Sequence, residues 1–129
     1  MNLNIDQILE TKNQLIIIGS RPALGKTTLT LQIADKMLSQ NMAVAIFSLE
    51  NSKEMTLSRL TNKDNIYIDD IPNVSINYIE EQTKKLVQDH NIKLVIIDYI
   101  QLIKDYPATD ISSKLKKLTE QLQITIIAV

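Results

Sequence analysis

The stretch from Gln14 to Thr28, Gln-Leu-Ile-Ile-Ile-Gly-Ser-Arg-Pro-Ala-Leu-Gly-Lys-Thr-Thr, limits the possible fold more than any other part of the chain. Leu15 to Ile18 is a continuous apolar run rich in β-branched residues, the pattern of a strand covered on both faces. Ser20, Arg21, Pro22, Ala23, Leu24, Gly25, Lys26 and Thr27 follow with the spacing of a phosphate-binding P-loop. Such a loop turns backbone N–H groups inward to make a concave anion site. Gly25 allows close approach of the backbone to phosphate. Lys26 suits the β- and γ-phosphates, and the Thr27 hydroxyl suits Mg²⁺. The helix beginning here, with Thr28 in its first turn, adds the positive end of its dipole. The strict pattern has Gly where this chain has Ser20; Gly19 lies one residue earlier. The chain has only two glycines, and both are in this loop.

The remainder alternates between buried strands and amphipathic helices. Residues 26–40 read as a helix with Leu29, Ile33, Ala34, Met37 and Leu38 on the apolar side and Asn41 as its stop. Residues 43–48 form a second apolar strand, and Ser52 is placed to cap a helix to about residue 60. A short strand at 66–68 ends at Asp69 and Asp70. Ser75 caps a helix to about 90, with Ile76, Ile79, Leu86 and Val87 inward. Residues 94–97 form a third buried strand ending in Asp98. Asp110 caps a helix to about 122, with Ile111, Leu115, Leu118 and Leu122 inward, and 124–129 is a last strand. This order predicts an α/β fold with a mainly parallel sheet and helices on both faces. Ligands bind beyond the carboxyl ends of such strands, where the loop at Gly19, Glu50 and Asp98 all fall.

Bulk properties narrow the classes further. A chain of 129 residues with 44% apolar content suits one core, read as a short lead-in over 1–13 and a nucleotide-binding core over 14–129. The absence of Cys excludes disulfides and thiolate metal sites and fits a cytoplasmic protein. A net charge of −1 gives no global nucleic-acid signal. No apolar run approaches the ~18 residues needed to span a membrane, so no membrane partner is expected.

Asp98 has the position of a Walker B acid, which would orient Mg²⁺ against the phosphates. Glu50 could orient the attacking water as a general base, or could simply favour the dipole of the helix after Ser52. Arg21 could touch phosphate or a neighbour, or be a solvated loop charge. Gln101, Asp69 and Asp70 are weaker candidates, the two aspartates reading as a strand stop. Lys114, Lys116, Lys117 and Glu120 read as a solvated helix face, and His90 as a helix end. Tyr67, Tyr78, Tyr99 and Tyr106 are scattered and form no stacking platform for single-stranded DNA.

Four stretches together resemble the motor domain of the DnaB-type replicative helicases. They are the Leu15–Thr28 segment, Ile-Phe-Ser-Leu-Glu-Asn-Ser-Lys-Glu ending at Glu54, Ile-Tyr-Ile-Asp-Asp-Ile-Pro ending at Pro72, and Leu-Val-Ile-Ile-Asp-Tyr-Ile-Gln-Leu-Ile ending at Ile103. The helix from Ile111 to Leu122 resembles the one that follows in that family. The resemblance implies a RecA-like core, with strand 124–129 between the loop strand and the Asp98 strand and strand 43–48 beyond. It implies ATP and Mg²⁺ as ligands, with Gly25, Lys26 and Thr27 binding them, Glu50 as catalytic carboxylate and Asp98 as the Walker B acid. It also implies a homo-oligomer or helicase ring, single-stranded DNA as a partner, and ATP hydrolysis coupled to unwinding. Two segments are shorter than the family pattern: the one before Ile66 and the loop after Ile103. The family also continues past Val129 with a polar sensor, further strands and an arginine finger for the neighbouring subunit. The chain therefore reads as a reduced core, truncated after the fifth strand, with an open sheet flank and slow turnover in isolation. The alternative is a non-catalytic nucleotide-binding or helicase-docking remnant.

Overall fold

The computed structural model describes residues 13–18, 25–104 and 110–129, with residues 25–28 described by backbone alone. Within these, five strands and four α-helices alternate: β1 (Leu15–Ile17), α1 (Gly25–Ser39), β2 (Ala43–Ser48), α2 (Lys53–Ser58), β3 (Ile66–Asp69), α3 (Ile76–His90), β4 (Ile92–Asp98), α4 (Ile111–Leu122) and β5 (Thr125–Ala128). The expected lead-in over 1–12 lies outside the described residues.

All strand pairs are parallel, in the order β1-β5-β4-β2-β3. The last strand thus sits between the loop strand and the Asp98 strand, as the family resemblance implied. The strands read as continuous apolar runs because both faces are covered. Ala45, Phe47, Val95, Ile97, Ile126 and Ala128 face one core, shared with Ile76 and Ile79 of α3 and Ile111, Leu115 and Leu118 of α4. Val44, Ile46, Leu94, Ile96 and Ile127 face the other, shared with Ile33, Ala34, Met37 and Leu38 of α1. Period-two alternation sends neighbours along each strand to opposite cores. The edge strands are β1 and β3, and Ile17 on β1 is 50% exposed.

Helix ends follow local chemistry. Ser52 and Ser75 cap α2 and α3 as expected, their hydroxyls accepting from the N–H groups of Met55 and Tyr78. Asn41 ends α1 at φ 63°, with Asn41 N–H donating to Leu38 and Met42 N–H to Met37. These two bonds make a Schellman motif. Asn13, Asn65, Asn73 and Asn91 adopt the same left-handed backbone. With glycine confined to one loop, asparagine takes these positions, because its short polar side chain tolerates them.

Several expectations need correction. Asp110 occupies the N-cap position of α4, but its side chain makes no capping bond; it pairs instead with Lys114 at 3.4 Å, one turn on. The backbone of Asp110, at φ −97° and ψ 0°, is not the extended form a capping side chain needs. Leu122, Leu86 and Val87 are only partly buried, while Thr83 and Thr119 are fully enclosed between helix and sheet. Strand β4 starts two residues early, at Ile92, and β3 runs on through Asp69. A 3-10 turn over Ile100–Leu102 follows β4, where a plain loop was expected.

Candidate functional site

Because every strand is parallel, the carboxyl ends of all five lie along one edge. Ser20, Arg21, Pro22, Ala23 and Leu24 lie outside the described residues. Gly25, Lys26, Thr27 and Thr28 form the first turn of α1, at this edge.

Asp98 ends β4 and is 7% exposed. In the sheet it sits opposite Ser48, the last residue of β2. The chain leaving β2 stays bound to it, since Leu49 N–H donates to the Asp98 carbonyl at 2.8 Å. Glu50 is the next residue and is exposed. The structure therefore brings Glu50 and Asp98 together, one buried and one facing solvent, at the edge where α1 begins. A cleft of about 420 Å³ lies alongside, lined by the hydroxyl residues Thr30, Ser48 and Thr56, by Asp98, and by Arg59 and Met55 on its exposed side. Ser48 and Thr56, which sequence reasoning missed, are buried there and joined by a hydrogen bond of 3.2 Å. The only local signal was a pair of small hydroxyl residues flanking Glu50.

The weaker candidates fall elsewhere. Asp69 accepts from the Tyr78 hydroxyl at 2.6 Å and from Ile71 N–H. Burial, then the hydrogen bond to Asp69 and its charge, push the Tyr78 phenol up to about 12. Asp70 accepts from Lys53 N–H at 2.7 Å, tying the end of β3 to the start of α2. His90 ends α3 and stacks on Tyr67, their ring centres 4.1 Å apart. Lys116, Lys117 and Glu120 are exposed, as expected of a solvated face, and Gln101 is exposed on the 3-10 turn. Among the described residues no three His, Cys, Asp or Glu side chains gather as a metal cage, and no helix is long and apolar enough to cross a membrane.

A parallel sheet in this order, with helices on both faces and an acid at the end of β4, defines a RecA-like helicase ATPase domain. The family model for the DnaB-like helicase C-terminal domain matches residues 4–65 and 58–129. The chain belongs to this family. It is 29% identical to the replicative DNA helicase DnaC of Bacillus subtilis, over 91% of this chain and 35% of that protein. It is 31% identical to the replicative DNA helicase DnaB of Helicobacter pylori, over 91% of this chain and 32% of that protein. Among solved structures it is similar in fold to an isolated ATPase domain, with TM-score 0.75, 24% identity, and 90% of this chain and 56% of that one covered. It also matches a DnaB-like replicative helicase solved with its interactions with primase, with TM-score 0.77, 26% identity, and 90% and 39% covered.

The chain spans about a third of the length of the curated relatives it matches. The alignment with the Bacillus subtilis protein runs over 158 positions, more than the chain's 129 residues, so that relative carries insertions between shared segments. The two pieces of the family match overlap at residues 58–65, the connection from α2 to β3. That is one of the two segments that read as shortened in sequence.

Proposed function

We propose that this chain is a nucleotide-driven motor core that binds ATP with Mg²⁺ at the carboxyl edge of the sheet and hydrolyses it. The observation that carries the reading is the pairing of Glu50 and Asp98 beside the start of α1, joined through the bond from Leu49 N–H to the Asp98 carbonyl. In this reading the loop Ser20–Thr28 wraps the phosphates with its backbone N–H groups, and Lys26 meets the β- and γ-phosphates with its ammonium. Arg21 lies beside them. Glu50, exposed to the solvent that supplies the nucleophile, orients the attacking water and accepts its proton.

The donor set suits Mg²⁺. Around Asp98 the available side-chain donors are hydroxyl and carboxylate oxygens, the hard ligands that Mg²⁺ prefers. The described residues offer one buried carboxylate rather than a protein cage, which matches an ion held partly by substrate phosphates. Thr27 and Asp98 would hold it. The ion supplies neutralisation of charge on the β- and γ-phosphate oxygens.

By membership of a family whose relatives are named replicative DNA helicases, hydrolysis would be coupled to movement on single-stranded DNA in a ring of several copies, in the cytoplasm. A second copy would then supply the cation that completes the site. Such an arginine finger is worth ~10³–10⁵ in rate.

The test is calorimetric titration with ATP and Mg²⁺, followed by turnover on the same sample. Saturable binding that is lost in Lys26→Ala, with turnover lost in Glu50→Gln, is the expected result. Binding with no turnover would leave a nucleotide-binding remnant. A folded chain that binds no ATP would overturn the reading.

A further inference from the structure

We infer that Ser48 and Thr56 are positioning residues for Glu50, holding the turn that carries it by two coupled hydroxyl bonds. The inference rests on the ATPase reading above and deepens it. Glu50 lies on the short link Leu49–Ser52 between β2 and α2, a place where a side chain could swing freely. The link is held from several directions instead. At its start, Leu49 N–H is bonded to the Asp98 carbonyl at 2.8 Å. Across it, the Ser48 hydroxyl donates to the Asn51 carbonyl at 2.8 Å, closing a loop around Glu50. At its end, Ser52 caps α2 through Met55 N–H, and Asp70 accepts from Lys53 N–H at 2.7 Å.

Thr56 completes the arrangement. Its hydroxyl lies 3.2 Å from that of Ser48, and both side chains are buried, at 6% and 3% exposure. Ser48 has one hydroxyl proton, and that proton is committed to Asn51. Thr56 must therefore be the donor and Ser48 the acceptor. The chain of donation runs from Thr56 to Ser48 to Asn51, across the base of the turn. One end is anchored in the first turns of α2, the other on the last residue of β2, which pairs with Asp98. Glu50 is thereby held in fixed relation to Asp98, although its own side chain is exposed. Preorganisation of this kind matters because misplacing a catalytic group by about 1 Å can cost 10²-fold in rate.

The experiment uses the full chain with Mg²⁺ and ATP. Thr56→Val keeps the volume and removes the donor; Thr56→Ser keeps the donor. Thr56→Val and Ser48→Ala should each lower kcat by about 10- to 100-fold, with ATP affinity unchanged within about twofold. Thr56→Ser should hold the wild-type rate. In a Glu50→Gln background, Thr56→Val should cost nothing further, because its effect passes through Glu50. Amide exchange over residues 49–53 should speed up in Thr56→Val, a readout independent of turnover. Equal kcat in Thr56→Val and wild type, or unchanged exchange, overturns the inference while leaving the ATPase reading standing. A rate that survives Glu50→Gln, or ATP bound with no turnover by the wild type, removes that reading and this inference with it.

Discussion

Replacing Asp35 by Ala should destabilise the fold by about 2 kcal/mol. Asp35 lies on α1 and is half-buried. Its carboxylate accepts from Thr61 N–H at 3.0 and 3.1 Å and from Asn62 N–H at 3.0 Å. The Asn62 amide returns to the Asp35 carbonyl at 3.2 Å. Together these bonds clamp the connection from α2 to β3 onto α1, at the place where the family match breaks into two pieces. A hydrogen bond to a charged group contributes ~1.5–3 kcal/mol when shielded. Thr61 is exposed, so water replaces its partner cheaply; Asn62 is half-buried and bears most of the loss. That gives about 2 kcal/mol in total, and at ~2 cal/mol/K per residue a fall in Tm of about 7 °C. Thermal unfolding followed by circular dichroism measures it, with Asp35→Asn as control. Asn keeps one acceptor and should lose about half as much. A Tm for Asp35→Ala within about 1 °C of wild type would refute the clamp.

Two further outcomes follow from the backbone and from Tyr78. Gln123 ends α4 at φ 55° and ψ 52°, a left-handed backbone that costs a residue with a Cβ ~1–2 kcal/mol. Gln123→Gly should raise stability by about 1 kcal/mol and Tm by about 4 °C, read by the same melts; a lower Tm would contradict it. The Tyr78 phenol is raised from 10.0 to about 12 by burial and by Asp69. Its folded value lies above its unfolded one, so its contribution to stability is complete below pH 10 and is lost as pH rises through about 12. Absorbance titration at alkaline pH should show one late phenol that disappears in Tyr78→Phe, and its persistence there would reassign the group.

Legibility in the sequence tracked the range of the interactions involved. The apolar run 43–48 matched β2 residue for residue, and Ser52 and Ser75 capped the helices that follow them. Those signals lie within a few residues of the structure they specify. Asp110 misled because a capping residue is recognised by type, whereas capping depends on a backbone angle that the chain around it imposes. Thr83 and Thr119 were unreadable as interior residues, since a hydroxyl carries no apolar signal even when packing encloses it. Of the site, Asp98 and Glu50 were visible as acids at strand ends, but nothing local distinguished Thr56 from a surface threonine.

The elements, their order and the convergence of Glu50 and Asp98 on the edge where α1 begins follow from the residues read along the chain. Periodicity, turn chemistry and the handedness of parallel crossovers suffice for that. Other features needed the folded molecule: which carboxylate is buried, the grip of Asp35 on residues 61 and 62 across the α1 surface, the reach of Asp70 to the start of α2, and the donation from Thr56 to Ser48 beneath Glu50. Each of these joins groups distant in sequence or buried by packing. Their strength comes from exclusion of water and from fixed geometry, and both exist only once the sheet and its two helical layers have closed.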